Sequence, residues 1–133
     1  MFLLDTNICI YWLKGMYPNI GRRMRALSPD QVALPAIVEA ELRLGAYKSL
    51  TREKTTAIVE AFLAPLTIVP FGSTEARVYA RIRGEAEAVG KPIGPNDLLI
   101  AATALSRGAT LVTHNVGEFS RVAGLQIEDW TTG

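Results

Sequence analysis

The sequence contains one cysteine and one histidine among 133 residues. A single cysteine, Cys9, excludes a disulfide within the chain and favours a reducing compartment, so we expect a cytoplasmic protein. Zinc is held in proteins mainly by Cys and His, so the shortage of both argues against a zinc site. The first residues carry no basic segment and reach an acid at Asp5, which does not resemble a signal peptide or a membrane anchor.

The sequence also lacks a long apolar run and an excess of charge of one sign. No apolar segment approaches the roughly 18 to 20 residues that a membrane-spanning helix needs. The net charge of +1 argues against the strongly basic surface of a protein that coats DNA. With 49% hydrophobic and 20% charged residues, the composition is typical of a globular protein. At this length we expect one domain over residues 1–133.

Short apolar segments alternate with segments of helical periodicity. Strands are predicted for residues 2–4, 31–34, 66–69, 110–113 and 125–127, and helices for residues 8–13, 19–27, 35–49, 52–63, 73–89 and 96–106. This alternation predicts a three-layer α/β/α sandwich with a central, mainly parallel sheet. Ligands bind at the carboxyl ends of the strands in such sheets, where Asp5, Thr113 and Asn115 fall.

Two acids stand at the ends of predicted elements among apolar neighbours. Asp5 follows the first strand directly, and Asp97 begins the apolar helix of residues 96–106. Each has a purely structural alternative, because Asp is a common helix N-cap and an acid is favoured in the first turn of a helix. Acids brought together repel one another, and a divalent cation relieves that repulsion.

Two more acids lie in the segment of residues 38–42, and helical spacing separates them. The residues three and four positions from Glu41 are Ile37, Val38, Leu44 and Gly45. We therefore predict that Glu41 lies in the stripe that faces the core, whereas Glu39 is a solvated charge with Arg43 as its partner. A buried carboxylate must be protonated, paired or bound to a metal. The alternative for Glu41 is a glutamate at the edge of the surface.

The residue types near these acids bear on which metal would fit. Carboxylate oxygens suit Mg²⁺ or Mn²⁺. We expect His114, the only histidine, to be exposed on the turn after the fourth strand rather than to bind metal. Cys9 lies among apolar residues of a helix and is expected to be unreactive packing.

Several short motifs follow one another along the chain: Leu4-Asp5-Thr6-Asn7, Ala40-Glu41-Leu42 with Gly45, Asn96-Asp97 before Leu-Leu-Ile-Ala-Ala, and Leu111-Val112-Thr113-His114-Asn115 followed by Glu118-Phe119. On these motifs the chain resembles the PIN-domain proteins of the VapC toxin type over nearly its whole length. The resemblance implies a toxic endoribonuclease of a toxin–antitoxin pair that uses Mg²⁺ or Mn²⁺ on structured RNA such as tRNA loops. It also implies a VapB-like antitoxin, DNA contact only through that antitoxin, and a homodimer.

The resemblance further implies a catalytic, metal-binding cluster of acids. Its members are Asp5, Glu41, Asp97 and Glu118. The fourth position is contested, because many PIN domains carry Asp where this chain has Asn115, while VapC-like proteins often carry a glutamate matching Glu118. We predict that Glu118 completes the cluster. The supporting polar side chains are Thr6, Thr113 and Asn115.

The distribution of basic residues suggests where RNA would bind. Residues 14–54 carry eight Lys and Arg against four Asp and Glu, so this half supplies a candidate phosphate-binding flank. It includes Arg22, Arg23 and Arg25, for which a solvated helix face is the alternative. Two other functions stay open, namely a catalytically silent PIN-like regulatory protein that acts with a partner on DNA, and a phosphoacceptor receiver domain. The receiver domain fits poorly, because no lysine follows the fourth strand.

Overall fold

A computed structural model describes residues 1–132 as five strands, seven α-helices and one short 3-10 helix. The strands are β1 (Phe2–Leu4), β2 (Val32–Pro35), β3 (Thr67–Val69), β4 (Thr110–Val112) and β5 (Gln126–Glu128). The helices are α1 (Thr6–Leu13), α2 (Pro18–Ala26), α3 (Ala36–Tyr47), α4 (Arg52–Leu63), α5 (Ser73–Ala88), α6 (Pro95–Arg107) and α7 (Val116–Phe119), and the 3-10 helix is Pro29–Gln31.

The strands form one sheet in the order β3-β2-β1-β4-β5, and every pairing is parallel. Leu3 pairs with Ala33 on one side of β1 and with Leu111 on the other, and all three are fully buried. Burial on both faces is what a parallel sheet covered by crossover helices requires. The predicted α/β class with a parallel central sheet is therefore confirmed.

Several predicted boundaries were wrong, and proline explains two of them. Pro35 does not open α3 but ends β2, where it pairs with Val69, and its ψ of 146° keeps the backbone extended until Ala36. In contrast, Pro95 is the first residue of α6, so the helix begins before Asn96. Proline fits a first helical position because that N–H has no partner within the helix. The four-residue helix α7 was not predicted at all.

The C-terminal segment docks on the sheet through Trp130, which is 1% exposed. Its ring meets Phe2 of β1 edge to face at 5.3 Å, and its indole N–H donates to Glu128 at 3.0 Å. The guanidinium of Arg23 lies 4.9 Å from the same ring and pairs with Glu128 at 2.9 Å. These contacts fix the residues that follow β5.

Two further expectations about the core are confirmed. Helix α6 is buried from Ile100 to Ala104, as its apolar sequence predicted. Cys9 is also buried among apolar residues, and burial raises the pKa of its thiol well above the ordinary value. Within residues 1–132, no helix has the combined length and apolarity needed to cross a membrane.

Candidate active site

Asp5 lies where β1 passes into α1, and it serves both of the roles considered for it. It is the N-cap of α1, because its Oδ1 accepts the N–H of Ile8 at 2.9 Å. Its Oδ2 accepts the hydroxyl of Thr113 at 2.5 Å, across from the end of β4. The Thr113 hydroxyl in turn accepts the N–H of Asn115 at 3.0 Å. Capping and the neighbouring strand thus hold the carboxylate in one orientation.

Asp5 is one of two acids that are buried among the described residues, and the other has a local explanation. Glu75 accepts the N–H of Gly72 at 2.8 Å and so caps α5. Asp5, 5% exposed, instead lies near other acids. Burial raises its pKa, its two hydrogen bonds offset part of that rise, and the charges of Glu41 and Asp129 raise it further. Negative charge is therefore concentrated at this point.

Asp97 and Glu118 come together from different helices. Asp97 lies in the first turn of α6, and Glu118 lies in α7. Glu118 Oε1 accepts the N–H of Gly94 at 2.9 Å, and its Oε2 accepts the side-chain amide of Asn115 at 3.3 Å. Glu118 and Asn115 thus both belong to the site, and Asn115 orients the glutamate.

The pKa values of this pair show how closely the acids are coupled. Burial raises the pKa of Asp97 to about 6, and the charge and hydrogen bonding of Glu118 and the charges of Asp5 and Glu41 contribute. Burial alone would raise the pKa of Glu118, but hydrogen bonds, including one with Asp97, lower it. Asp97 thus lies within the electrostatic influence of the other three predicted acids, and its protonated form is favoured more than that of an ordinary carboxyl.

Glu41 is oriented by Thr6, whose hydroxyl donates to Glu41 Oε1 at 2.6 Å. It lies at the border of the buried face of α3 rather than within it, because Leu44, one turn further on, is 56% exposed. The prediction that this whole stripe faces the core was wrong, since a step of 100° per residue places Glu41 beside the true buried row. Glu39 pairs with Arg43 at 2.9 Å, as predicted.

The donors at this edge of the sheet suit a hard divalent cation, since all of them are oxygen atoms. Among residues 1–132, however, no three Asp, Glu, His or Cys side chains already converge to hold a metal ion. The carboxylates instead accept hydrogen bonds from Thr6, Thr113 and the N–H of Gly94. Burial and the charges of the neighbouring acids together raise the pKa of Asp97, and a bound cation would offset the contribution of those charges.

The sequence analysis missed Asp129, which directly follows β5 at the same edge of the sheet. Its Oδ2 lies 3.0 Å from Nδ1 of His114, and its Oδ1 accepts the hydroxyl of Thr131 at 2.7 Å. Burial would raise the pKa of Asp129, but these bonds from Thr131 and His114 lower it. A strand predicted to end one residue later, at Glu128, would have placed this acid directly after it. His114 is exposed, as predicted.

The structure separates the arginines of the predicted phosphate-binding flank by their surroundings. Arg22 and Arg25 are exposed on α2, so their side chains can reach solvent. Arg23 instead pairs with Glu128 and lies over Trp130, which makes it part of the C-terminal packing. On this helix, Arg22 and Arg25 are therefore open to solvent, whereas Arg23 packs against the C-terminal segment.

Asp97→Asn is expected to raise the unfolding temperature of the metal-free protein by a few degrees at pH 7.5. The pKa of Asp97 in the folded protein, about 6, lies above the ordinary value of 3.8, so folding favours the protonated carboxyl. Its contribution to the free energy of unfolding is therefore fully present below the ordinary pKa and is lost as the pH rises through 6. The gain from the substitution should therefore shrink toward pH 4. Thermal unfolding in EDTA across this range measures it, with Glu53→Gln as the control. A gain independent of pH would contradict the assigned cause.

Comparisons with known proteins agree with this arrangement. The family described as PIN domain matches residues 2–125. The tRNA(fMet)-specific endonuclease VapC of Salmonella typhimurium is 40% identical over 129 residues, which cover 97% of each chain. Ribonuclease VapC2 of Rickettsia felis is 37% identical over 131 residues, 98% of each chain. The crystal structure of DNA-bound VapBC from Salmonella typhimurium superposes with a TM-score of 0.92 at 39% identity, covering 97% of both chains.

Proposed function

Because the chain belongs to the PIN-domain family and is a homologue of the VapC ribonucleases, we propose that it is the endoribonuclease toxin of a toxin–antitoxin pair. Its substrate is structured RNA, such as the loops of tRNA, in which it hydrolyses phosphodiester bonds. The observation that carries this proposal is the electrostatic coupling of Asp5, Glu41, Asp97 and Glu118 at one edge of the sheet.

The four acids are proposed to hold Mg²⁺ or Mn²⁺, for which their oxygen atoms are suitable ligands. When bound, such a cation acidifies a water molecule and stabilises the charge that grows on the attacked phosphate. Hydroxyl groups keep two of the acids in place, since Thr113 orients Asp5 and Thr6 orients Glu41. Supporting hydrogen bonds of this kind set the direction of a ligand and its affinity.

We further propose a protein partner, an oligomeric state and a location for the enzyme. Its partner is a VapB-like antitoxin, in keeping with the VapBC assembly that it resembles, and DNA is reached only through that antitoxin. We also propose a homodimer, a single domain over residues 1–133 and a cytoplasmic location. The single cysteine, which is free and buried, is consistent with a reducing compartment.

The test is RNA cleavage by the protein purified free of antitoxin. With Mg²⁺ or Mn²⁺ we expect discrete cuts in one or a few species of a total tRNA preparation, and no cuts in EDTA. The Asp97→Asn protein, purified in the same way, is the control for contaminating nucleases. If neither metal yields cleavage while the complex with antitoxin still binds DNA, the catalytically silent regulatory protein is the correct assignment instead.

A further inference from the structure

Three aromatic rings from separate parts of the chain meet beside the acids. Tyr11 lies in α1, Tyr17 precedes α2 and His114 follows β4. The ring centroids of Tyr11 and Tyr17 are 5.0 Å apart, and the ring of His114 lies 6.1 Å from Tyr17 and 6.5 Å from Tyr11. We call these three residues the aromatic platform.

The platform adjoins the proposed catalytic site through direct connections. His114 comes immediately after Thr113, whose hydroxyl binds Asp5. Asp129 contacts His114, and its charge raises the pKa of Asp5. Tyr11 belongs to the helix that Asp5 caps, and its ring lies beside that of His114.

The platform is both accessible and held in place. The His114 side chain is 49% exposed, and both tyrosines are half-buried. Nδ1 of His114 lies 3.0 Å from Asp129 and 3.0 Å from Thr131, which fixes the ring. Surface aromatic residues packed only to fill space would not need such anchoring.

Tyr17 has a strained backbone conformation at the start of α2. Its φ is +55°, and within residues 1–132 no other residue except glycine has a positive φ. The next residue, Pro18, further restricts the conformations open to Tyr17. Strained residues persist where the surrounding structure holds them, and they concentrate at functional sites. Here the strain places the Tyr17 ring against Tyr11 and His114.

We propose that the aromatic platform binds a nucleobase adjacent to the phosphodiester that is cut, by stacking the base on Tyr17 and His114. This inference rests on the proposed ribonuclease function. Bases of single-stranded loops splay out and stack on aromatic side chains. A second phosphate is a poorer occupant, because the carboxylate of Asp129 adjoins His114. Tyr17 and His114 are thus positioning residues that act on RNA binding.

The experiment measures binding and cleavage separately. In an Asp97→Asn background, which does not cut, fluorescence anisotropy gives the Kd for a labelled RNA hairpin whose loop is the one cut by the unaltered protein. Tyr17→Leu and His114→Ala should each weaken binding about tenfold. Tyr17→Phe, which keeps the ring, should bind normally, as should the control Tyr79→Leu on α5. In the cleaving protein, Tyr17→Leu should raise KM and leave kcat nearly unchanged.

An abasic substitution in the loop completes the test. At the position that stacks, removing the base should weaken binding to the parent protein about tenfold and abolish the difference between the parent and Tyr17→Leu. An unchanged Kd and KM in both Tyr17→Leu and His114→Ala would overturn the platform, provided that the parent cleaves RNA. If the parent cuts no RNA, the ribonuclease proposal fails first. Circular dichroism checks that each variant is folded. If Tyr17→Leu is unstable, His114→Ala carries the test, because the His114 side chain is exposed.

Discussion

Asp5→Asn is expected to reduce RNA cleavage at least about a hundredfold while the protein remains folded. Asn caps a helix about as well as Asp, so the bond from the N–H of Ile8 is kept. The side-chain amide can also stay in contact with Thr113. What the substitution removes is the charge of a carboxylate that lies beside Glu41 and near Asp97. Metal affinity and cleavage should therefore fall together.

The measurement is the rate of cleavage at saturating Mg²⁺ or Mn²⁺, with the unfolding temperature measured in parallel. Glu39→Gln is a matched control, because Glu39 is an acid paired with Arg43 outside the site. Its rate should match that of the unaltered protein, whereas Glu41→Gln should lose activity. Full cleavage by Asp5→Asn at saturating metal would refute the role assigned to Asp5.

Trp130→Ala is expected to destabilise the protein by about 3–5 kcal/mol, as do other truncations of large buried aromatic residues. The free energy of unfolding of a domain is typically about 5–15 kcal/mol, so this loss is a large part of the total. The Trp130 ring packs against Phe2 and lies under the guanidinium of Arg23. Its indole N–H donates a hydrogen bond to Glu128. Its truncation is expected to leave a cavity beside Phe2 and to loosen the C-terminal segment.

Urea unfolding of the metal-free protein checks this value, and the remaining tryptophan, Trp12, provides the fluorescence signal. Trp130→Phe is the control, because it keeps an aromatic ring and loses only the indole hydrogen bond. It should cost no more than about 2 kcal/mol. A loss below about 1 kcal/mol for Trp130→Ala would mean that the C-terminal segment contributes little to the fold.

The sequence was sufficient for the elements whose pattern is strong. The alternation of apolar strands with helices predicted the parallel sheet, and the apolar run after Asp97 predicted the buried helix α6. Boundaries were less predictable, because a proline such as Pro35 suits both a strand end and a helix start. Short α7 has too few residues for a periodic signal, although it carries Glu118.

The positions of the candidate site residues were more predictable where the boundary of a strand or helix was clear. The apolar segments beside Asp5 and Asp97 predicted that these acids lie at the ends of elements. Asp5 follows β1 and caps α1, and Asp97 lies in the first turn of α6. Glu41 was assigned by an argument about burial that proved wrong in detail, since its neighbour Leu44 is exposed. The meeting of Tyr17 with His114 joins parts of the chain about a hundred residues apart, and the contact between His114 and Asp129 joins two strand ends. No local pattern could reveal them.

The order of the strands also governs when the enzyme can become active during its synthesis. The ribosome makes β1 first, but Leu4 pairs with Val112, which is made much later. A nascent chain that stops short of Thr113 holds Asp5 without the hydroxyl that orients it, and it lacks Glu118 altogether. Long-range parallel pairing of this kind also folds slowly. A product that terminates before Thr113 therefore lacks two of the groups proposed for the site, which is complete only once synthesis is nearly finished.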